Sequence, residues 1–380
     1  MQRRRWLGLA LLGCVRTAAA QAAAQTAAQT AKPDDDAVRR GRVLHFPRDH
    51  GAHPGAAIEW WYLTGELHTA HERRYGFQIT FFRSRTGLAA QLQSRFAARQ
   101  LLFAHAALSD LGAGQHLHAQ RIARWSGDPH AALARASTAD TDVRLGDWTL
   151  QRDDDGGRSR YLTRFGSGGT QAFELQLQLR AALPPLLQGD AGFSRKGPDE
   201  AQASHYVSEP QLAAHGTLRR GGQTLAVQGR AWLDHEWSDA LLHPDAVGWD
   251  WVGMNLDDGS ALTAFQLRRA DGTRLWAGGS WRDAAGRLQV FDHDGVHFSP
   301  GRRWRSAATG ADYPLHWRLH TPAGRFEVRA LLDAQELDAR DGTGSAYWEG
   351  LSELLDAQGR RIGSGYLEMT GYAGRLRLGD

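Results

Sequence analysis

Short runs in which apolar and polar residues alternate follow one another along the chain from about residue 43. The clearest is FELQLQLR (173–180), in which one phenylalanine and three leucines alternate with polar side chains. A period of two is typical of an antiparallel strand with one buried face. Gly, Asp, Asn or Pro separates the runs, and Asp258-Gly259 and Asp271-Gly272 predict tight hairpin turns. Because helical patterns are scarce, we predict an all-β protein.

The number of predicted strands indicates more than one layer. A single sheet of this many strands would be implausibly wide, so we expect two barrels or sandwiches. We place the boundary near residue 240, after WLDHEWSD (232–239). The segment 183–210 contains Gly and Pro and is predicted to be a long loop.

The N-terminal segment differs in composition from the rest. Residues 1–20 have the basic start MQRRR and the short apolar run WLGLALLG of an export signal, and RRRWL resembles a twin-arginine signal. LLGC resembles a lipobox that would make Cys14 a lipidated first residue, whereas Ala18-x-Ala20 offers a different cleavage site. Both alternatives stay open. We predict a periplasmic or secreted protein, either soluble or anchored to a membrane by lipid, with 21–42 as a mobile low-complexity linker.

Composition narrows the classes of partner. The 380 residues include 45 Lys+Arg and 42 Asp+Glu, a formal charge of +3, and the folded region has no basic block. We therefore expect no nucleic-acid partner. Fourteen Trp, 44 Gly and a single Cys suit a turn-rich β protein that uses aromatic rings rather than disulfides. No segment after the signal is long and apolar enough to predict a membrane-spanning helix.

The run AIEWWYLTGELH (57–68) places three aromatic residues side by side. In a strand, Glu59 and Trp61 share one face, while Trp60 and Tyr62 share the other. Exposed tryptophans would be unfavourable on either face. We therefore predict that one face fills the first barrel and that the other meets the second domain or a ligand. Glu59 and Trp61 are secondary candidates for ligand binding.

A second candidate is DHEWSD (234–239), which carries four ionisable groups in six residues. Asp234 and Glu236 share one strand face, and His235 and Trp237 share the other. If they are buried, such groups must be paired or have shifted pKa values, and clusters of this kind favour functional sites. A solvated turn, with its carboxylates paired to arginines, is the alternative.

The run GWDWVGMNL (248–256) follows, with Trp249 and Trp251 on one face and Asp250 on the other. Together with Trp237, these rings could wall a pocket for a flat apolar ligand or stabilise a cation; they could equally form the core between domains. The histidines of HFPRDHGAH (45–53) lack a zinc-binding spacing, and neither HExxH nor GxSxG occurs. We expect neither a metal nor a cofactor.

Longer motifs point to a family. AIEWWYLTGEL, RYGFQITFFR, LLFAHAALSD, GRAWLDHEWSD, GWDWVGMNLDDGSALTAFQLR and YWEGLSELLDAQGRRIGSGYLEMTGY together resemble the AttH/CrtC family. That family includes hydroxyneurosporene synthase, a carotenoid 1,2-hydratase, and many predicted secreted hydrolases. The resemblance runs from Val43 to Tyr372. It implies two packed lipocalin-like antiparallel β-barrel domains, at 43–239 and 240–380.

The resemblance also implies a function. It favours an exported protein that binds an apolar ligand, such as a lipid or an isoprenoid-like molecule, with hydratase or hydrolase activity. A non-catalytic periplasmic lipid carrier, or an accessory factor of an envelope ABC transporter, is the alternative. The predicted catalytic residues are Asp234, His235, Glu236 and Asp250, and the predicted ligand-binding residues are Trp237, Trp249, Trp251, Glu59 and Trp61.

Overall fold

The computed structural model describes residues 36–87, 94, 97–169, 172–240, 242–340, 342 and 344–375. The predicted export signal with Cys14, and most of the predicted linker, lie outside these residues. The described residues form antiparallel strands almost throughout, with a short 3-10 helix at Arg48–His50, which confirms the all-β class. No helix among them is long and apolar enough to cross a membrane.

Thirteen strands of the described chain form the first sheet. They are β1 (Ile58–His68), β2 (Arg74–Arg85), β3 (Gln100–Asp110), β4 (Gln115–Trp125), β5 (Ala134–Ala136), β6 (Asp142–Leu145), β7 (Trp148–Asp154), β8 (Ser159–Ser167), β9 (Phe173–Arg180), β10 (Leu186–Leu187), β11 (Phe193–Arg195), β12 (Ala203–Arg220) and β13 (Gln223–Ser238). Their order is β4-β3-β2-β1-β13-β12-β9-β8-β7-β6-β5, and β10 and β11 pair with β12.

The first sheet curls until its two edges meet. Arg121 on edge strand β4 donates to the Leu145 carbonyl oxygen of β6 at 3.2 Å, and its guanidinium lies 4.5 Å from the Trp148 ring centroid on β7. The result is a nearly closed barrel. Its interior holds the apolar face of β9, where the phenylalanine and three leucines of FELQLQLR are at most 3% exposed, as the alternation predicts.

The second sheet begins with a new set of strands after residue 247. They are β14 (Gly248–Leu256), β15 (Ala261–Arg268), β16 (Arg274–Arg282), β17 (Leu288–Phe291), β18 (His297–Pro300), β21 (His316–Thr321), β22 (Gly324–Ala330), β23 (Glu336–Ala339), β24 (Ser345–Leu355) and β25 (Arg361–Met369). A separate hairpin pairs β19 (Arg303–Arg305) with β20 (Asp312–Pro314).

The second sheet has the order β17-β16-β15-β14-β25-β24-β22-β21-β18, and β23 pairs with β24. Gly259 and Gly272 have φ values of 90° and 81° in the β14–β15 and β15–β16 turns, which confirms both predicted hairpins. The predicted boundary near residue 240 falls between the end of β13 and the start of β14.

The predicted loop 183–210 is interrupted by the short strands β10 and β11, and it is wrong in its last part, because β12 already begins at Ala203. Pro210 removes one donor from the strand, and the register of β12 against β13 shifts between Glu209 and Leu212. Gln211 in this bulge has φ 59°. Its amide group donates to the Leu256 and Ser260 carbonyl oxygens of the second sheet at 2.9 and 2.7 Å. The irregularity therefore ties the two sheets together.

The outer face of the first sheet packs against the second sheet through a buried apolar cluster of its own. Gly253 is required in this contact, because a Cβ there would come within 2.3 Å of the Trp251 ring. The buried members of the cluster are Tyr62, Trp232, Ala246, Trp251, Ala261, Phe265, Leu267, Leu351 and Tyr366.

Candidate active site between the two sheets

A pocket lies within the contact between the two sheets. Its cavity volume is about 90 Å³. Its lining combines aromatic rings with four carboxyl groups, one lysine and several hydroxyl groups. The lining residues are Trp60, Tyr62, Thr80, Phe82, Lys196, Ser204, Tyr206, Asp234, Glu236, Ser238, Ala240, Leu242, Trp249, Trp251, Phe265, Leu267, Tyr347, Glu349 and Glu368.

Asp234 lies on β13 with its carboxyl group held by three donors. Tyr206 Oη donates to Oδ2 at 2.7 Å, and Ser208 Oγ and Trp232 Nε1 donate to Oδ1 at 2.5 and 2.7 Å. Trp251 Nε1 of the second sheet donates in turn to Tyr206 Oη at 3.0 Å. Burial raises the pKa of Asp234 to about 7, although the three donors oppose the shift. This group can therefore exchange a proton near neutral pH.

Glu236 lies two residues further along the same face of β13. It accepts a hydrogen bond from Ser204 Oγ and a salt bridge of 2.9 Å from Lys196 Nζ. The ammonium group of Lys196 also lies 4.3 Å from the ring centroid of Phe265 and 4.7 Å from that of Tyr206. Glu236 and Lys196 thus form a charge-balanced pair at the pocket wall.

Glu349 on β24 and Glu368 on β25 occupy directly opposed positions of neighbouring strands. Like charges in such a pair destabilise the sheet unless one is neutralised. Burial and the nearby Glu368 raise the pKa of Glu349 well above its usual value. Burial raises the pKa of Glu368 to about 7, and the charges of Asp234 and Glu236 act in the same direction. At neutral pH this carboxyl pair therefore retains at least part of a proton.

The opposite face of β13 points into the first barrel, where Glu59 organises a separate cluster. One oxygen of Glu59 is 2.8 Å from His53 Nδ1 and 2.9 Å from His235 Nε2, and the other accepts from Arg83 Nε at 2.7 Å. His53 Nε2 lies 3.0 Å from Asp49 Oδ1. All these side chains are buried. We call this group the Glu59 cluster.

Within the Glu59 cluster, the carboxylate of Glu59 is paired with the guanidinium of Arg83. Burial alone would raise the pKa of Glu59, but Arg83 and the two histidines lower it well below its usual value. Burial lowers the pKa of His235, so its imidazole is neutral near pH 7 despite the neighbouring carboxylate. The ring of Trp237 stacks on His53 with 3.6 Å between centroids, and that of Trp61 stacks on His235 with 4.8 Å.

His53, Glu59 and His235 bring one candidate metal-ligand atom each to within 4.8 Å of one another. The backbone N–H of His53 and the side chain of Arg83 already donate to the same carboxylate. A bound cation would therefore compete with Arg83 for the charge of Glu59. The donor set favours a closed hydrogen-bonded ion-pair cluster.

Asp250 lies outside both the pocket and the Glu59 cluster. It lies on the face of β14 that points away from the pocket, with Arg268 Nε 2.8 Å from Oδ2. Gln266 Nε2 donates to the same oxygen at 2.8 Å, and Tyr372 Oη donates to the other at 2.9 Å. Burial raises the pKa of Asp250, against the effect of Arg268. Its contacts are those of a buried structural ion pair.

The structure thus divides the predicted site residues among three places. Asp234, Glu236, Trp249 and Trp251 line the pocket. His235, Glu59, Trp61 and Trp237 lie in the first barrel, so Trp237 does not wall the pocket with Trp249 and Trp251 as we expected. Asp250 lies apart from both groups. Strand alternation predicts that neighbouring residues such as Asp234 and His235 point to opposite faces of the sheet. The predicted site nevertheless combines residues from both faces, and this part of the prediction is wrong.

Sequence analysis missed the pocket residues Glu349 and Glu368, and also Tyr206 and Lys196. A signal did exist for the glutamates, since YWEGLSEL (347–354) and GYLEMTGY (365–372) each place a glutamate in an apolar strand. Only the pairing of β24 with β25 sets those two carboxyl groups side by side.

Comparison with known proteins agrees with this architecture. A family model described as AttH-like matches residues 37–372. The solved structure of a protein from Nitrosomonas europaea, provisionally named AttH, is 46% identical, with a TM-score of 0.80 over 88% of this chain and 99% of that one. A search of curated proteins finds no match.

Two further solved structures share the fold at low identity. Kievitone hydratase from Nectria haematococca is 16% identical, with a TM-score of 0.67 over 87% of this chain and 94% of that one. CghA with Sch210972 is 12% identical, with a TM-score of 0.53 over 84% of this chain and 90% of that one.

Proposed function

This chain belongs to the AttH-like family, and from that premise we propose that the pocket between its sheets is the active site of a hydratase-type enzyme. The reaction would add water to a carbon–carbon double bond of an apolar small molecule, or remove it. The predicted export signal would place this activity in the periplasm or outside the cell. The fold shared with kievitone hydratase is compatible with such chemistry.

The observation that carries the proposal is a set of protonatable carboxyl groups enclosed by aromatic rings. Hydration of an unactivated double bond needs an acid that remains protonated near neutral pH and is protected from bulk water. Burial raises the pKa of both Asp234 and Glu368 to about 7. The faces of Trp249, Trp251 and Phe265 in the same lining suit an apolar substrate and a positively charged intermediate.

The proposed reaction has two proton transfers. A carboxyl O–H gives its proton to one alkene carbon, and the π electron pair forms the new C–H bond. The resulting cation on the other carbon is attacked by a water oxygen, which loses a proton to a carboxylate and restores the acid. Asp234 is the better placed donor, because Tyr206 and Ser208 fix its orientation through 2.7 and 2.5 Å hydrogen bonds.

Incorporation of ¹⁸O tests this proposal. The purified protein is incubated in H₂¹⁸O with a panel of isoprenoid and aryl alkenes, and products are analysed by mass spectrometry. We expect one ¹⁸O per product molecule, lost in Asp234→Asn. Glu353→Gln provides the control, since Glu353 lies on β24 outside the lining.

The alternative function, a lipid carrier or transporter accessory, predicts a different result. A carrier would hold an apolar molecule through purification and release it unchanged. Native mass spectrometry of the protein followed by analysis of the released ligand detects that outcome. A retained acyl lipid together with no ¹⁸O incorporation from any alkene would contradict the hydratase proposal.

A further inference from the structure

We propose that the pocket also binds a positive charge carried on an apolar ligand, a protonated or quaternary amine, with the nitrogen beside Glu349 and Glu368. This inference rests on the proposed function only in taking the pocket as a ligand site. The inference adds that the ligand carries a positive charge.

The first argument is the charge of the pocket. Its lining contains four carboxyl groups and one lysine, and that lysine is paired with Glu236. Within the described residues, no salt bridge reaches Glu349 or Glu368, although the two lie opposite each other. Two buried carboxyl groups at this spacing must be neutralised by a proton or by an external cation.

The second argument is an unused acceptor. Glu349 is only 3% exposed, and its Oε1 has no hydrogen-bond partner among the described residues. The Tyr62 hydroxyl, on the opposite sheet, is buried and has no well-formed hydrogen bond among the described residues. A side-chain hydrogen bond between Tyr62 and Glu349 contributes to the pKa shifts of both groups, but its geometry is outside the normal range. Buried polar atoms normally have well-formed partners, so this poorly satisfied pair points to an absent ligand group.

The third argument is the aromatic surface around these carboxyl groups. The indoles of Trp60, Trp249 and Trp251 and the ring of Phe265 line the same pocket. One cation of the protein itself already contacts this aromatic surface, because the ammonium group of Lys196 lies 4.3 Å from the Phe265 ring centroid. Aromatic faces combined with carboxylates form the usual recognition site for ammonium groups with apolar substituents.

Binding of such a cation is coupled to proton release. The titratable groups around the pair are Tyr62 from β1, Tyr206 from β12, Asp234 and Glu236 from β13, Tyr347 from β24, Tyr366 from β25 and Lys196 before β12. An ammonium nitrogen beside Glu349 and Glu368 lowers their pKa values, so the proton held by the pair leaves as the ligand enters. A carboxylate ligand would have the opposite effect.

Calorimetric titration with phenyltrimethylammonium tests the inference, with tert-butylbenzene as the neutral compound of the same shape. Titrations at pH 7 in phosphate and in Tris give the number of protons exchanged, and tryptophan fluorescence gives the affinity independently. We expect release of about one proton per cation bound. The affinity should increase with pH, by up to about tenfold per unit near pH 7.

The variants identify the site. Glu349→Gln/Glu368→Gln should weaken phenyltrimethylammonium binding by about tenfold or more and abolish proton release, since both carboxylates are removed. Glu368→Gln alone should have an intermediate effect. Glu353→Gln on the same strand should bind like the wild type. Circular dichroism establishes that each variant is folded.

Three results would overturn the inference: no binding of the cation, equally tight binding of tert-butylbenzene, or wild-type affinity in the folded double variant. The outcomes separate the two proposals. Alkene hydration without amine binding would remove this inference alone. Amine binding with proton release but no ¹⁸O incorporation would remove the hydratase proposal alone.

Discussion

Strand β13 lies between two buried polar sites and contributes residues to both, and the sites differ in how completely their carboxyl groups are satisfied. On the barrel side, the Glu59 carboxylate receives donors from His53, His235 and Arg83. On the pocket side, Glu349 and Glu368 face each other, and no salt bridge reaches either of them within the part of the chain that the structure describes. Burial alone therefore does not mark a functional site. The less satisfied carboxyl groups, enclosed with aromatic rings in a cavity, are the ones we propose to bind a ligand and to exchange protons.

The largest expected loss of stability comes from removing the carboxylate at the centre of the Glu59 cluster. Glu59→Ala leaves Arg83 buried without its partner, so the free energy of unfolding should fall by about 3–5 kcal/mol. Urea unfolding followed by circular dichroism measures this loss. A fall below about 1 kcal/mol, the range of an exposed salt bridge, would show that the Glu59 cluster is not the structural centre described here.

Removal of the Asp234 carboxyl group in the pocket should lower catalytic turnover rather than the stability of the fold. Asp234→Asn keeps the shape of the side chain, and turnover of an alkene substrate should fall by about 10²–10⁴-fold with the protein still folded. Steady-state kinetics with a substrate identified by ¹⁸O incorporation provides the measurement. Turnover equal to the wild type would exclude Asp234 as the donor.

The two sites should also differ in their effect on stability at different pH values. The folded state holds a proton on Glu368 up to about pH 7, whereas the unfolded chain loses it near the usual value of 4.5. Stability from this group is therefore present below pH 4.5 and is lost as pH rises towards 7, by up to about 3 kcal/mol.

Thermal unfolding at pH 5 and pH 8 checks the sign. Wild type should lose more stability over this interval than Glu368→Gln, which has no proton to lose at this position. Equal losses in the two proteins would mean that Glu368 titrates normally in the folded state.

The smallest expected effect concerns the hydrogen-bond chain between the sheets. Trp251→Phe removes the donor to Tyr206 but retains most of the ring, so stability should fall by about 0.5–1.5 kcal/mol. The matched change Trp60→Phe alters another indole of the pocket lining, one that makes no side-chain hydrogen bond among the described residues. Chemical unfolding of both variants should show the larger loss for Trp251→Phe, and the reverse order would contradict a stabilising role of the Trp251–Tyr206 hydrogen bond.

Sequence reasoning reached the fold more completely than the site. The alternation in 57–68 predicts that one face fills the first barrel while the other meets the second domain or a ligand. In the structure, Trp61 lies in the barrel core, whereas Trp60 and Tyr62 line the pocket between the sheets. Because strand alternation depends only on residues that are neighbours along the chain, it can be recognised in a single sequence.

The site depends on contacts that no local pattern encodes. His53 meets His235 because two distant segments converge on Glu59. Glu349 becomes unusual only because the register of β24 and β25 sets Glu368 opposite to it. Alternation separated Asp234 from His235, yet it could not reveal which face would meet a cavity.

Carbon-13 NMR titration of the Asp and Glu carboxyl groups tests the contrast between the two sites most directly. Pocket signals should titrate near pH 7 and be assignable through their loss in Asp234→Asn and Glu368→Gln, while the Glu59 signal stays ionised through the acidic range. If the Asp234 and Glu368 signals instead titrate below pH 5, the pocket lacks the acid on which its proposed chemistry depends.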